Sequence, residues 1–201
     1  MMTEPPVISN AISRPTIFLV WAIVATVLGL VSTGLAVFFF LQSRGTRDEP
    51  AGWARWETSA GGNGHWYKAV VMTNGIHWPE ADHLARAQGG YLATITSAAE
   101  NDFVFNLVNA PEFFENGKGP ALGGFQQDWA PEPEGGWCWV SGEPWNYSHW
   151  HSTEPSNGRV PSGTEDRLQF YSGIPRTPGA TWNDVNRDDM DVGGYVIERN
   201  D

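Results

Sequence analysis

The chain has 201 residues, a single cysteine and a formal net charge of −11 at pH 7. This length, with an apolar first fifth, leaves room for one domain that buries a sizeable core. The two side-chain charges before Arg44, on Glu4 and Arg14, cancel, so the later part of the chain carries all of the net negative charge. Such a charge repels nucleic acid and anionic membrane surfaces and attracts cations.

A long apolar run lies near the N-terminus. From Thr16 to Leu41 no residue is charged, and a bilayer core requires only about 20 such residues. The apolar part of a cleaved signal peptide spans about 7 to 15 residues, so we expect residues 16–42 to form the transmembrane helix of a single-pass membrane protein. Residues 1–15 would then be a short tail, residues 43–63 a linker or stalk, and residues 64–201 the folded domain.

The residues that flank this run leave two alternatives open. Arg14 on one side, against Arg44 and Arg47 on the other, would place the domain in the cytoplasm by the positive-inside rule. Long domains, however, cross membranes largely regardless of such charges. In the linker, Trp53 and Trp56 either touch the bilayer interface or fold back on the domain.

Helix start and stop signals predict two helices in the domain. Pro79 in a first turn and Gly89 as a stop predict a helix over residues 78–88. Ser97 followed by Glu100 is a capping box, which predicts a second helix that ends near residue 108.

Apolar alternation and turn residues predict the strands. The first covers residues 65–72 and ends at the turn formed by Asn74 and Gly75. We expect further strands over 91–95, 121–125, 137–140, 167–171 and 194–199. Together with the helices they predict an α+β domain with antiparallel sheets.

A long irregular segment carries the candidate site. Residues 141–164 show no regular element, which inside a compact domain indicates a functional loop. Ca²⁺ takes about 6 to 8 oxygen ligands from carboxylates, amides, backbone carbonyls and water. Such oxygens gather within this loop and after it, in Glu154-Pro155-Ser156-Asn157, Glu165-Asp166 and Trp182-Asn183-Asp184.

This spacing resembles the calcium and sugar site of the C-type lectin family, whose pattern is Glu-Pro-Asn, a loop, Glu-Asp and then Trp-Asn-Asp. The resemblance covers residues 64–199. It implies a C-type lectin-like fold with two helices, antiparallel sheets and a long ligand-binding loop, on a domain outside the cytoplasm. Further matching motifs are His65-Trp66-Tyr67, Trp78-Pro79-Glu80-Ala81, Gly89-Gly90-Tyr91-Leu92-Ala93-Thr94-Ile95, Leu122-Gly123-Gly124, Trp137-Cys138-Trp139-Val140-Ser141-Gly142 and Tyr195-Val196-Ile197-Glu198.

The resemblance also implies a role for each matching side chain. Glu154, Glu165 and Asn183 resemble groups that bind Ca²⁺ while hydrogen-bonding two neighbouring sugar hydroxyls. Asp184 resembles the ligand that gives both its carboxylate and its backbone carbonyl. Pro155 would follow a cis peptide bond.

Ser156 departs from the pattern. The family has Asn there, whose carbonyl binds calcium and whose amide donates to the sugar, and a serine hydroxyl cannot do both at once. Asn157 would substitute if the loop shifted by one residue. We therefore include Ser156 and Asn157 among the sugar-binding candidates. Glu154 in place of Gln favours mannose-like over galactose-like sugars.

The cysteine content is a second departure. Many members carry two disulfides; here one customary pair falls at Ala85 and Ile197, which can pack together, and the other at Arg167 and Arg187. This cysteine-poor form resembles bacterial members. Cys138 alternates with two tryptophans in a strand, so we expect it to point away from both as an unpaired thiol.

Two further metal sites are conceivable from the residue types. Asp166 with Asp188 or Asp189 could form a second calcium site, or simply a solvated acidic turn. His149 and His151 would share one face of a strand near Glu154 and could bind Zn²⁺. No third ligand for zinc is identifiable, and no nucleophile motif or phosphate loop is present, so we expect no enzyme.

The sequence thus predicts a membrane-anchored, calcium-assisted carbohydrate-binding protein whose partners are carbohydrates or glycoconjugates. The alternative is a calcium-independent C-type lectin-like domain that binds a protein. Exposed tryptophans at Trp129, Trp145 or Trp150 would serve either function, as sugar-stacking platforms or as protein hot spots. Convergence of Glu154 with the other ligand candidates is the feature that discriminates the two.

Overall fold

The computed structural model describes residues 51–114, 118–158, 164–174, 176–188 and 192–200. The predicted tail, the transmembrane helix of residues 16–42 and the first part of the linker lie outside these residues. Within them, no helix combines the length and the apolar character needed to cross a membrane.

Both helices form where their signals predict them. Helix α1 covers Trp78–Ala87 and contains Pro79 in its first turn. Gly89 lies just beyond its end with a φ of 77°, a left-handed conformation that favours glycine. Helix α2 covers Ala98–Val108, and the Ser97 hydroxyl caps it by accepting the Glu100 backbone N–H.

Eight strands are described, with single 3₁₀ turns at Thr58–Ala60 and Pro111–Phe113. The strands are β1 (Ala54–Arg55), β2 (Trp66–Ile76), β3 (Tyr91–Leu92), β4 (Lys118–Gln126), β5 (Trp137–Trp139), β6 (Glu165–Tyr171), β7 (Trp182–Asn186) and β8 (Val192–Arg199).

Apart from shifts of up to three residues at strand ends, three of these strands differ from the sequence prediction. The turn expected at Asn74 and Gly75 is wrong, because β2 continues to Ile76 and absorbs Gly75 in an irregularity of its pairing with β8. Strand β7 was missed because its Trp-Asn-Asp run has the composition of a turn. Strand β1 was missed because it lies in the part of the chain expected to be linker.

The strands form one sheet in the order β1-β2-β8-β4-β6-β7, with β3 added to β8 and β5 added to β4. All pairings are antiparallel except the single contact between β4 and β8. The last two strands, β6 and β7, carry most of the candidate site.

Residues 54–63, expected in the linker, belong to the folded domain. Ala54 and Arg55 pair with the start of β2. The Trp56 ring stacks on Phe103 of α2 at a centroid distance of 5.7 Å. The Arg199 guanidinium lies 4.3 Å from the Trp53 ring centroid. Of the two alternatives for these tryptophans, the structure has them folded back on the domain.

Each helix covers its own hydrophobic cluster. The larger cluster contains Val104 and Val108 of α2 together with most of the buried aromatic side chains. The smaller contains Ala81 and Ala85 of α1 and apolar residues of the sheet, including Ile197. Ala85 and Ile197 are both fully buried and belong to this same cluster, as predicted for residues that replace a disulfide.

An ionic cluster stands at the other customary disulfide position. The Asp166 carboxylate, 5% exposed, accepts from Arg167 at 3.0 Å and is also paired with Arg187. Arg187 reaches Asp128 as well, at 3.2 Å. The two arginines therefore share one buried carboxylate, which links β6 to the residue that follows β7.

Trp182 of β7 is the centre of the larger cluster. Its side chain is fully buried, and its indole N–H donates to the Asn101 side-chain oxygen at 2.8 Å. The Asn101 amide in turn donates to the Ala180 carbonyl at 3.1 Å. Helix α2 is thereby joined to the chain entering β7.

We expect Asn101→Ala to lower the free energy of unfolding by about 2 kcal/mol, because it leaves the buried Trp182 N–H without an acceptor. Urea denaturation monitored by tryptophan fluorescence measures the change. Asn106→Ala, on the exposed face of the same helix, is the matched control and should change stability by less than about 0.5 kcal/mol. Equal effects of the two variants would contradict the assigned role of Asn101.

We expect Asp166→Asn to destabilise the domain by about 2 kcal/mol or more, since it leaves two arginines without their shared buried anion. The control is Asp82→Asn, which breaks the pair with Arg86 one helical turn away and should cost only about 0.3 to 0.5 kcal/mol. A smaller loss for Asp166→Asn than for the control would show that the cluster contributes little to stability.

Candidate functional site

The long loop is fixed on β7 before it reaches the candidate ligands. Trp150 forms an isolated parallel bridge with Trp182. The backbone N–H of Trp182 donates to the His149 carbonyl at 2.8 Å, and the backbone N–H of His151 donates to the Trp182 carbonyl at 2.9 Å. Glu154 follows three residues later, so its position depends on this short parallel contact.

The Asp184 carboxylate attaches the loop to β7 through hydrogen bonds. It is fully buried in β7. Both of its oxygens accept the Ser156 backbone N–H at 3.0 Å, and Oδ2 also accepts the Asn157 N–H at 2.7 Å. The Asn157 side-chain oxygen accepts the Glu165 N–H at 3.0 Å. Residues 154–157 are therefore attached to both β6 and β7. The Glu154–Pro155 peptide bond is cis, as the resemblance implied.

Among the described residues, negative charge is concentrated here. Burial and then the charges of Asp184 and Glu154 raise the pKa of Glu165 to about 7, against a smaller opposing effect of Lys118. Burial, with a contribution from the Glu154 carboxyl, raises the pKa of Asp184 to about 6 despite the backbone N–H groups that it accepts. Glu154 Oε2 is buried and has no hydrogen-bond partner among the residues that the structure describes.

The neighbouring glycine leaves room for this carboxylate. A Cβ at Gly158 would lie 2.9 Å from the Glu165 carboxyl carbon, closer than side chains tolerate. Carboxylates with an unpartnered buried oxygen are the donor type that Ca²⁺ prefers. By donor type, the residues fit a hard cation.

The convergence is incomplete in one respect. Among the described residues, Glu154, Glu165 and Asp184 do not form a group whose ligand oxygens all lie within 4.8 Å of one another. Asn183 is half-buried and precedes Asp184 in β7, opposite Gln169. Hydrogen bonds and charge interactions nevertheless join Glu154, Ser156, Asn157, Glu165 and Asp184 in one region. Asn183 is assigned to this region only by its position in β7.

The departure at Ser156 has a structural counterpart. Ser156 is exposed, and its backbone N–H donates to Asp184. Asn157 uses its amide oxygen on the Glu165 backbone. The Asn157 side-chain oxygen, the candidate substitute for the Asn carbonyl of the family pattern, is therefore occupied by the hydrogen bond that joins the loop to β6.

The other two metal hypotheses gain no support from the described residues. The Asp166 carboxylate is paired with Arg167 and Arg187, so the second calcium site predicted with Asp188 or Asp189 lacks its central ligand; Asp189 lies outside the described residues. The His151 ring contacts Tyr171 and Thr153, and His149 stacks on Tyr147. Neither histidine belongs to a metal-capable group in the described part of the chain, so the structure gives the zinc hypothesis no support.

One metal-capable group was missed from sequence. Ligand atoms of His65, Glu143 and Glu198 lie within 4.8 Å of one another. His65 Nδ1 and Glu198 Oε1 are 2.6 Å apart, and the Thr94 N–H donates to Glu198 Oε2 at 2.8 Å. The hydrogen bond to Glu198 raises the pKa of His65. No local motif links these residues; only the pairing of β2 with β8 brings two of them together.

The tryptophans divide into one exposed ring and a packed cluster. Trp145 and Trp150 pack against the Trp137 ring, at centroid distances of 5.8 and 4.8 Å. Trp129 is 81% exposed. Of the three tryptophans proposed as contact surfaces, it alone is largely in solvent. Cys138, between two buried tryptophans of β5, is half-exposed and unpaired, as expected.

Comparisons with known proteins support the fold. No protein-family model matches the chain. A Perlucin-like protein of Mytilus galloprovincialis is 27% identical over 178 residues, which is 85% of this chain and 97% of the relative. The C-type carbohydrate-recognition domain of cow CD23, solved in the presence of GlcNAc2Man3 oligosaccharide, matches 75% of this chain and 94% of its own with a TM-score of 0.54 and 22% identity.

A calcium-independent type II antifreeze protein matches to a similar degree, with a TM-score of 0.53 and 19% identity over 75% of this chain and 92% of its own. The same fold therefore occurs in a protein described as calcium-independent. The Mytilus relative is an animal protein and gives no support to the expected bacterial form. Strand order, helix positions and these similarities together show that the described part of the chain has a C-type lectin-like fold.

Proposed function

We propose that the domain binds carbohydrate with the assistance of one calcium ion at the β6–β7 edge. The observation that carries the proposal is the set of acidic groups around residues 154–157, where burial and neighbouring carboxyl groups raise the pKa of Glu165 and Asp184. A divalent cation would neutralise this charge and give the unpartnered Glu154 oxygen a ligand.

The ligand set is that inferred from the sequence: Glu154, Glu165, Asn183 and Asp184. The bound ion would supply a Lewis-acid contact to vicinal sugar hydroxyls. The chain's own acidic and amide groups would orient those hydroxyls by accepting and donating hydrogen bonds. Glu154 favours mannose-like sugars. The protein acts here by binding rather than by catalysis, and the proposal includes a membrane anchor at residues 16–42.

A second candidate function, calcium-independent binding of a protein, is favoured by one specific observation. The Asp184 carboxylate already accepts two backbone N–H groups, which occupy most of its roughly four lone-pair sites. The loop is therefore closed on the strand without any ion. Under this alternative the acidic groups are structural and the exposed Trp129 is the contact residue.

Calcium binding separates the two candidates. The full chain, kept in solution by a detergent, should show a saturable rise in melting temperature with Ca²⁺ over a chelator control. A ligand specific to the folded state adds about 2.7 kcal/mol at a hundredfold excess over its dissociation constant. Glu165→Gln and Asp184→Asn should abolish the rise, while Glu112→Gln, at an exposed site, should leave it unchanged. No rise up to millimolar Ca²⁺ would favour the protein-binding alternative.

The pH dependence of stability gives a second test. The pKa of Glu165 is raised to about 7 from 4.5, so the folded state holds this proton more tightly than the unfolded state does. Without calcium, the free energy of unfolding should then fall as the pH rises from about 4.5 to 7. We expect the loss between pH 5 and pH 8 to be about 1 kcal/mol smaller in Glu165→Gln than in the unmodified protein.

Denaturant unfolding at the two pH values measures this difference, and comparison with the variant cancels the contributions of other titrating groups. The same reasoning predicts that Ca²⁺ affinity increases from pH 5.5 to 7.5, because protons and the cation compete for the carboxylates. An identical pH profile in both proteins would argue against the assigned environment of Glu165.

A further inference from the structure

A metal-capable group lies outside the β6–β7 edge, and the proposed function does not use it. It consists of His65 immediately before β2, Glu143 in the loop after β5 and Glu198 in β8, each with one ligand atom within 4.8 Å of the others. Among the residues that the structure describes, no other three His, Cys, Asp or Glu side chains converge this closely. The three segments are distant in sequence, so the fold rather than a local turn brings them together.

Glu198 is the most firmly held member of the group. Its side chain is 1% exposed, and its Oε2 accepts the Thr94 backbone N–H at 2.8 Å. Its Oε1 lies 2.6 Å from His65 Nδ1. One oxygen is therefore fixed by the backbone, while the other faces an imidazole nitrogen across a single shared proton.

Thr94 also positions Glu143. The Thr94 hydroxyl donates to Ser141 Oγ at 2.8 Å, and the same oxygen accepts the Glu143 backbone N–H at 3.2 Å. The Glu143 side chain is half-buried, and its carboxylate accepts no hydrogen bond from the described part of the chain. A carboxylate without a partner is thus held beside the His65–Glu198 pair.

A hydrogen-bonded network supports His65 from the other side. The His65 backbone N–H donates to the Asn63 side-chain oxygen at 2.9 Å, and the Asn63 amide donates to Glu100 Oε1 at 2.9 Å. Glu100 also lies near the group, but both of its oxygens are occupied. They accept from Asn63, Tyr67 and Thr96. Glu100 therefore orients a ligand and is not one itself.

The donor set indicates the class of metal. Imidazole nitrogen suits Zn²⁺, whereas Ca²⁺ takes oxygen ligands. One nitrogen and two carboxylate oxygens leave the fourth position of a zinc tetrahedron to water. Ligand atoms of such an ion lie about 3.3 Å apart, so His65 Nδ1 and Glu198 Oε1 would separate by about 0.7 Å as the shared proton left. The His65 side chain is 22% exposed, which gives the ion access from solvent.

Charge favours a divalent cation over the proton. The His65 imidazole lies in the field of three carboxylates, those of Glu198, Glu143 and Glu100. Zn²⁺ in place of the shared proton adds one positive charge to this cluster and gives the Glu143 carboxylate a partner.

We propose that His65, Glu143 and Glu198 form a zinc site that ties the start of β2 and the loop after β5 to the last strand. His65 and Glu198 are 133 residues apart in sequence, so the ion would close a long segment of chain and stabilise the folded state. The inference is independent of the proposed carbohydrate function, because the site shares no ligand with the β6–β7 edge.

Titration with Zn²⁺ alone tests the site. The full chain, kept in detergent and stripped of metal, is titrated with zinc chloride in a calorimeter while excess Ca²⁺ occupies any oxygen-only site. One equivalent should bind and raise the melting temperature. Glu143→Gln should weaken binding at least about tenfold and should fold normally, because its carboxylate has no hydrogen bond to lose. His83→Ala, which removes an exposed histidine of α1, is the matched control and should leave the affinity unchanged.

A spectroscopic readout identifies the nitrogen ligand. The chain has five histidines, and in protein labelled with ¹⁵N-histidine the imidazole signals that are absent from His65→Gln should shift with Zn²⁺ and not with Ca²⁺. Failure to bind zinc, or equal zinc affinity in Glu143→Gln and the unmodified protein, would overturn the site. Loss of zinc binding in Glu165→Gln or Cys138→Ser, with the His65 signals unmoved, would assign the ion to another part of the chain and overturn it equally.

Discussion

The hydrogen bond from the Trp182 indole to Asn101 is the interaction on which the positions of the other parts depend. It fixes the start of β7 against helix α2, and β7 carries Asn183 and Asp184. The Trp182 backbone then holds His149 and His151 on both sides, so the loop that leads to Glu154 takes its position from the same residue. The aromatic rings of Trp139, Trp145, Tyr147 and Trp150 surround the indole at centroid distances of 5.6 to 6.0 Å.

This arrangement separates the stability of the site from its charge. The aromatic cluster supplies the burial, at roughly 150 to 250 Å² for each aromatic side chain, while the acidic groups above it repel one another. Functional sites commonly hold such unfavourable charge at the expense of the surrounding fold. Asp184 is the point of contact between the two, since it is buried beside the cluster and yet faces the loop.

The sequence predicted those parts of the fold that depend on local signals. Pro79, Gly89 and the Ser97 cap act within a few residues, and both helices formed where they indicated. Strand β7 could not be predicted this way, because Trp-Asn-Asp has turn composition and becomes a strand only through its ladder with β6. The irregularity of β2 at Gly75 likewise depends on its partner β8.

The same distinction applies to the site. A resemblance to a family motif suggested Glu154, Glu165 and Asp184 as candidates, whereas the use of the Asn157 amide on the Glu165 backbone depends on how the loop closes. The group formed by His65, Glu143 and Glu198 joins three distant segments.

The carboxylate that Arg167 and Arg187 share has a consequence for how the domain is made. A disulfide in this place would need an oxidant to form and would be lost in a reducing compartment. An ion cluster forms without an oxidant and is unaffected by reducing agents, so it can open and close again with the fold, and salt screens it only weakly because the shared carboxylate is buried. With Cys138 as the single thiol of the chain, the same native structure can be reached under oxidising and reducing conditions alike.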